Sequence, residues 1–137
     1  MTSKSLNILI MDPPYESSNT ISAFRIIKSA LGKSINVTVF AYEGATALTL
    51  KDQKGHPNPV KKTSIEEEKH PLTKDMVSGL FELAKEKNVS LTWINCGLCV
   101  DERGVGNWVD GPVRGGPPQF VDAVQRSDKT LVIATTR

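Results

Sequence analysis

Cysteine and histidine are both scarce in this chain, two of each among 137 residues. A disulfide framework of the kind that holds small secreted domains is therefore excluded. A zinc centre would need about two ligands beyond the cysteines, and His56 and His70 stand in no tight spacing with Cys96 and Cys99. The histidines read as polar loop residues, and no metal or cofactor is expected. Aromatic residues are few, at 6%, and the net charge is only +2. Without a basic surface or interleaved aromatic and basic residues, nucleic acid is not an expected partner.

Long apolar runs are missing as well, so no membrane span is expected. The stretch before Asp12-Pro13-Pro14 offers only about six apolar-rich residues, too short for a signal-peptide core. The expected location is the cytoplasm, where Asn36-Val37-Thr38 and Asn88-Val89-Ser90 carry no meaning as glycosylation sites. In that reducing compartment two cysteines three positions apart do not read as a structural disulfide. They call for a chemical explanation.

What remains is an ordinary globular composition, 39% hydrophobic and 23% charged, enough to bury a core in one domain spanning 1–137. Leu6 to Met11 reads as a buried strand ending at Asp12-Pro13-Pro14. Ser17-Ser18-Asn19 supplies helix caps, followed by a face of Ile21, Phe24, Ile27 and Leu31, with Gly32 as the stop. Val37, Val39 and Phe40 mark a second strand that runs into Tyr42-Glu43-Gly44, and Ala45 to Lys51 reads as a short helix. Periodicity then lapses into a long loop, 53–71, with room for one helical turn. Loops of that length often act as lids or interface elements. Thr73 reads as an N-cap and Met76, Leu80, Leu83 and Ala84 as a buried stripe. Val89 to Ile94 is a third strand, leading directly into Asn95-Cys96. After a glycine-rich passage, Gly104 to Gly116, Pro117-Pro118 opens a last helix with Phe120, Val121 and Val124 inward. Lys129 to Ala134 closes the chain as a strand. Alternating strands and helices predict an α/β fold, three layers α/β/α around a mainly parallel sheet of four to five strands. Sites in such sheets lie beyond the carboxyl ends of the strands, where Cys96 falls.

A helix starting just after Asn95 would put Cys96 in its first turn and Cys99 one turn on. Free backbone N–H groups and the helix dipole at that end favour a thiolate, making Cys96 the better nucleophile. Gly97 is expected to leave space for substrate at those donors. Arg103, two turns from Cys96, is placed to counter the charge of a thiolate, a persulfide or a sulfur oxyanion. Arg114-Gly115-Gly116 offers a further cation and backbone amides near the strand ends, and reads equally as a turn before a helix. Asp101 and Glu102 would oppose anions, so at least one is expected to face solvent. Glu43-Gly44 is expected to border the site.

Blander readings stand beside these. Free cysteines are often buried hydrophobes, although a strand-to-helix junction is an unusual place for two. Cys96-Gly97-Leu98-Cys99 is also a Cys-x-x-Cys redox spacing, without the tryptophan and proline of the thioredoxin motif. Trp93 reads as core. Gly32-Lys33-Ser34 imitates a phosphate loop but sits at the wrong end of a helix. Glu66-Glu67-Glu68 reads as a solvated face.

Taken together, the strand, Pro-containing loop and helix over Ile8 to Leu31, then Val37-Thr38-Val39-Phe40 with Tyr42-Glu43-Gly44, the strand ending in Cys96, Arg103-Gly104, Arg114-Gly115-Gly116 and Ser127-Asp128-Lys129 resemble the DsrE/DsrF-like family, which includes the TusD sulfur-relay subunits. The resemblance covers almost the whole chain. It implies a cytoplasmic sulfurtransferase or sulfur carrier in which Cys96 takes up sulfane sulfur as a persulfide. Cys99 is an addition to the TusD-like pattern and is similar to archaeal members linked to sulfur oxidation. That branch implies thiosulfate or polysulfide as donor, a TusA-like carrier as partner, and a homotrimer or hexamer. The expected substrate-binding residues are Asn95, Gly97, Arg103 and Arg114, around catalytic Cys96 and Cys99. A dithiol–disulfide redox protein and a non-catalytic subunit of a sulfur-relay complex are the competing functions.

Overall fold

Alternation along the strands sorts the core into two layers. In the computed structural model, which describes residues 3–135, β1 (Ser5–Ile10), β2 (Asn36–Ala41) and β3 (Leu91–Cys96) form the centre of a five-stranded sheet. Residues 1–2 and 136–137, the ends of the expected domain, lie outside the described residues. The strand order is β4-β3-β2-β1-β5, with β4 (Val113–Gly115) and β5 (Lys129–Ile133) at the edges and every pairing parallel.

Ile8, Ile10, Val37, Val39, Ala41 and Trp93 bury one face of the sheet against α1 (Asn19–Gly32) and α3 (Thr73–Lys87). Those helices contribute Phe24, Ile27 and Leu31, and Val77, Leu80 and Ala84. Successive strand residues point to opposite faces, so Phe40, Ile94 and Cys96 face the other way, toward Phe120 of α5 (Pro117–Arg126). Phe40 holds this second layer together, its ring centroid 5.3 Å from Phe120 and 5.8 Å from Tyr42. Helices thus cover both faces of a parallel α/β sheet, as the alternating pattern predicts.

Several local expectations are corrected. Ile21 on α1, and Val121 and Val124 on α5, are exposed rather than inward; Ala123 is the buried residue of α5. α5 turns Phe120 and Ala123 inward, and Val121 and Val124 fall to the side of that stripe. Thr73 is not an N-cap. Leu72 is, and the Thr73 hydroxyl donates instead to the Leu48 carbonyl, 2.8 Å away. The turn after α1 takes its left-handed residue at Ser34 (φ 61°) rather than at Gly32. The segment after β2 is a 3-10 helix, Glu43–Thr49. The expected turn in the long loop is α2 (Ile65–Glu68), with Ser64 and Glu67 closing a capping box. Inside the glycine-rich passage lies β4, which is too short to show a period. It pairs Ile94 with Val113, Asn95 with Arg114 and Cys96 with Gly115.

Candidate functional site

The same alternation separates Asn95 from Cys96. Asn95 lies on the Trp93 side of the sheet, fully buried, where its carboxamide accepts from Trp93 Nε1 (3.2 Å) and donates to Thr49 Oγ1 (3.0 Å). Both ends of the side chain are spent on structure, and it does not reach the cysteine cavity. Cys96 turns the opposite way and ends β3 in extended backbone, φ −60° and ψ 117°, as the N-cap of α4 (Gly97–Arg103). The first turn of α4 then carries Cys99 back to it. The cysteines are free thiols, 2% and 6% exposed.

Cys99 is held from two sides. The backbone N–H of Glu43 donates to its Sγ across 3.2 Å. Its carbonyl accepts from Arg103 Nη1 at 3.3 Å. Burial pushes the Cys99 thiol up to about 11, and the hydrogen-bonded Cys96 sulfur adds to the rise against the opposing Glu43 N–H and Arg103 charge. At neutral pH Cys99 is therefore a protonated thiol beside the Cys96 sulfur. A cavity of about 290 Å³ opens over the pair, lined by Tyr42, Glu43, Leu98, Glu102, Arg103 and Pro117 with both cysteines.

Gly97 has a different use from the expected one. A Cβ there would stand 2.6–2.8 Å from the Arg114 guanidinium, so the missing side chain makes room for that arginine rather than for substrate. Arg114 comes from β4, crosses Gly97 and meets Asp101 through two hydrogen bonds of 3.1 and 2.7 Å. The Arg114 guanidinium beside Asp101 holds that carboxyl below the usual carboxylate range. In turn Asp101, with a smaller contribution from the Cys96 sulfur, raises Arg114 above its ordinary value. Both partners are more than half exposed, so the pair is a surface latch that adds little stability. Asp101 is thus turned from the cavity to Arg114, whereas Glu102 stays at its wall.

The structure brings Cys96, Cys99, Gly97, Arg103 and Arg114 into one neighbourhood and leaves Asn95 behind the sheet. Tyr42, Leu98 and Pro117 were not legible as site residues. Glu43 borders the cavity, as its place at the end of a strand leads one to expect, and contributes a backbone N–H that no side-chain pattern reveals. Among the described residues no group of three or more histidine, cysteine or acidic side chains is gathered for a metal ion. The thiols therefore offer two ligands, short of a closed structural zinc site. Also among the described residues, no helix is long and apolar enough to cross a membrane.

Comparison with known proteins gives both a family and a fold. The sequence model of the DsrE/DsrF-like family matches residues 4–133. The fold is similar to the crystal structure of the ychN protein from E. coli, with a TM-score of 0.71 and 19% identity over 95% of this chain and 99% of that one. No curated protein matches the chain.

Proposed function

The chain belongs to the DsrE/DsrF-like family, and from that premise we propose that it is a cytoplasmic sulfur carrier or sulfurtransferase working through Cys96. The observation that supports this most is the buried sulfur pair at the carboxyl end of β3, with Cys99 protonated and hydrogen-bonded beside Cys96 under a small cavity.

The loading step is a displacement at sulfur. Cys96 thiolate attacks the sulfane sulfur of thiosulfate, forming Cys96–S–S⁻ and expelling sulfite. With a polysulfide, the leaving group is the shortened polysulfide anion. Backbone N–H groups at the start of α4 favour the anionic sulfur, and Arg103 supplies positive charge at the cavity wall. Arg114, across Gly97, is the second cation within reach. Transfer follows when an acceptor thiolate attacks the outer sulfur, returning Cys96 as thiolate. The acceptor in this reading is a TusA-like carrier. Where no acceptor is present, Cys99 attacks the loaded Cys96, forming the Cys96–Cys99 disulfide and releasing sulfide.

Val121 and Val124 on α5 and Val132 on β5 leave apolar surface uncovered, which supports assembly into a homotrimer or hexamer. Light scattering tests the assembly, with a monomeric mass as the contrary result.

Intact-protein mass spectrometry after incubation with thiosulfate, tetrathionate or polysulfide tests the chemistry. Sulfur adducts lost in Cys96→Ser and retained in Cys99→Ser are expected. The contact between the two sulfurs also suits the second reading, a dithiol redox protein, whose signature is loss of two protons with no sulfur gained. No reaction at either cysteine would leave a non-catalytic subunit of a relay complex.

A further inference from the structure

The long loop contains His56-Pro57 near its start and His70-Pro71 at its end. The fold brings the two rings together, with centroids 5.0 Å apart at an interplanar angle of 62°. Each ring repeats the same local contact: Nδ1 meets the carbonyl of the following proline, at 2.9 Å for His56 and 3.3 Å for His70. A carbonyl oxygen only accepts, so Nδ1 carries the proton in the neutral ring and Nε2 keeps its lone pair. This is the arrangement that metal-ligating histidines use, one nitrogen held by a backbone carbonyl and the other left for the ion.

The spacing of the rings agrees with that use. With metal–nitrogen bonds of about 2.0–2.1 Å, two imidazoles on one tetrahedral ion place their ring centroids about 5 Å apart. Tyr15 packs edge-on against His70 at 5.3 Å. Its hydroxyl donates to the Pro71 carbonyl (2.8 Å) and accepts from the Thr73 N–H (3.2 Å), which fixes the His70 side of the pair. The rings line a cavity of about 390 Å³ with Tyr15, Gln53, Lys54 and Leu72. No carboxylate is among those residues, which disfavours calcium and magnesium; imidazole donors select zinc and its neighbours.

We propose that His56 and His70 form a two-imidazole site for a divalent transition-metal ion such as zinc, bound through both Nε2 atoms with water completing the coordination, and that the ion staples the two ends of the 53–71 loop. The site is separate from the cysteine pair.

Zinc titration by calorimetry tests it, using the Cys96→Ser/Cys99→Ser protein so that thiols do not contribute. One equivalent is expected to bind, and adding His56→Ala or His70→Ala should weaken it by about tenfold or more. Absence of binding up to about 1 mM zinc, or a smaller loss in either histidine variant, overturns the site. Should the thiol-free protein not fold, imidazole nitrogen NMR of the wild type decides. Zinc is expected to shift Nε2 of both histidines, and unshifted signals would refute the proposal.

Discussion

The backbone N–H of Glu43 points at Cys99 Sγ across 3.2 Å, tying the turn after β2 to the first turn of the helix after β3. That bond opposes, without cancelling, the burial that takes the Cys99 thiol up to about 11. Disulfide closure by Cys99 onto loaded Cys96 should therefore quicken by about tenfold per pH unit between about pH 7 and 10, as the thiolate fraction grows. Acid-quenched mass spectrometry follows the loss of the sulfur adduct. A flat profile would mean that Cys99 is not the attacking group.

A stability consequence accompanies this. The folded value lies above that of an ordinary thiol, so the contribution of Cys99 is fully present below about pH 9 and fades as pH rises through about 11. Urea midpoints of wild type and Cys99→Ala should converge over that window. Parallel curves would count against a buried, raised thiol.

Glu102 and Arg103 oppose each other at the cavity wall. Glu102→Gln should raise the rate of Cys96 loading by anionic donors such as tetrathionate by about three- to tenfold at low salt, and Arg103→Gln should lower it by a similar factor. Both effects should shrink at high ionic strength. Equal rates in all three proteins would remove charge at the wall from the mechanism.

Asn95→Ala separates structure from chemistry. It strips partners from Trp93 Nε1 and Thr49 Oγ1 in a buried layer, so a loss of about 2–4 kcal/mol is expected. Loading of Cys96 should continue in whatever fraction stays folded. A stable variant that fails to load would instead return Asn95 to the substrate.

Gly111 and Gly97 make a second contrast. Gly111 has φ +117°, and a Cβ there would meet the Phe81 ring at 2.7 Å. Gly111→Ala should cost about 2–4 kcal/mol in denaturant melts. The atoms nearest a Cβ at Gly97 are those at the end of the Arg114 side chain. Gly97→Ala should keep its stability within about 1 kcal/mol while changing the rate at Cys96, because the guanidinium must move.

The sheet was legible because β1, β2 and β3 are apolar or alternating runs whose residues, Thr92 aside, are buried or half-buried. The position of Cys96 followed from the end of one such run. The outer layer was not legible: Phe120, Val121 and Val124 are all apolar, and the sequence does not say which side of α5 meets the sheet. Arg114 reads from the sequence as a cation at the strand ends, but its route over Gly97 depends on a three-residue strand that no periodicity can announce. Asn95 was misplaced by its neighbour in sequence. One residue along a strand is the opposite side of a sheet.

That three-residue strand has a further consequence. β4 is an edge element bonded to β3 alone, and its register sets Gly115 against Cys96. Peeling it away breaks few hydrogen bonds and exposes little apolar surface, so its opening free energy lies well below that of the whole domain. Hydrogen exchange at Val113, Arg114 and Gly115 should run ahead of exchange in β1 and β2. Fraying of that edge loosens the backbone beside Cys96, on a schedule set by local breathing rather than by global unfolding.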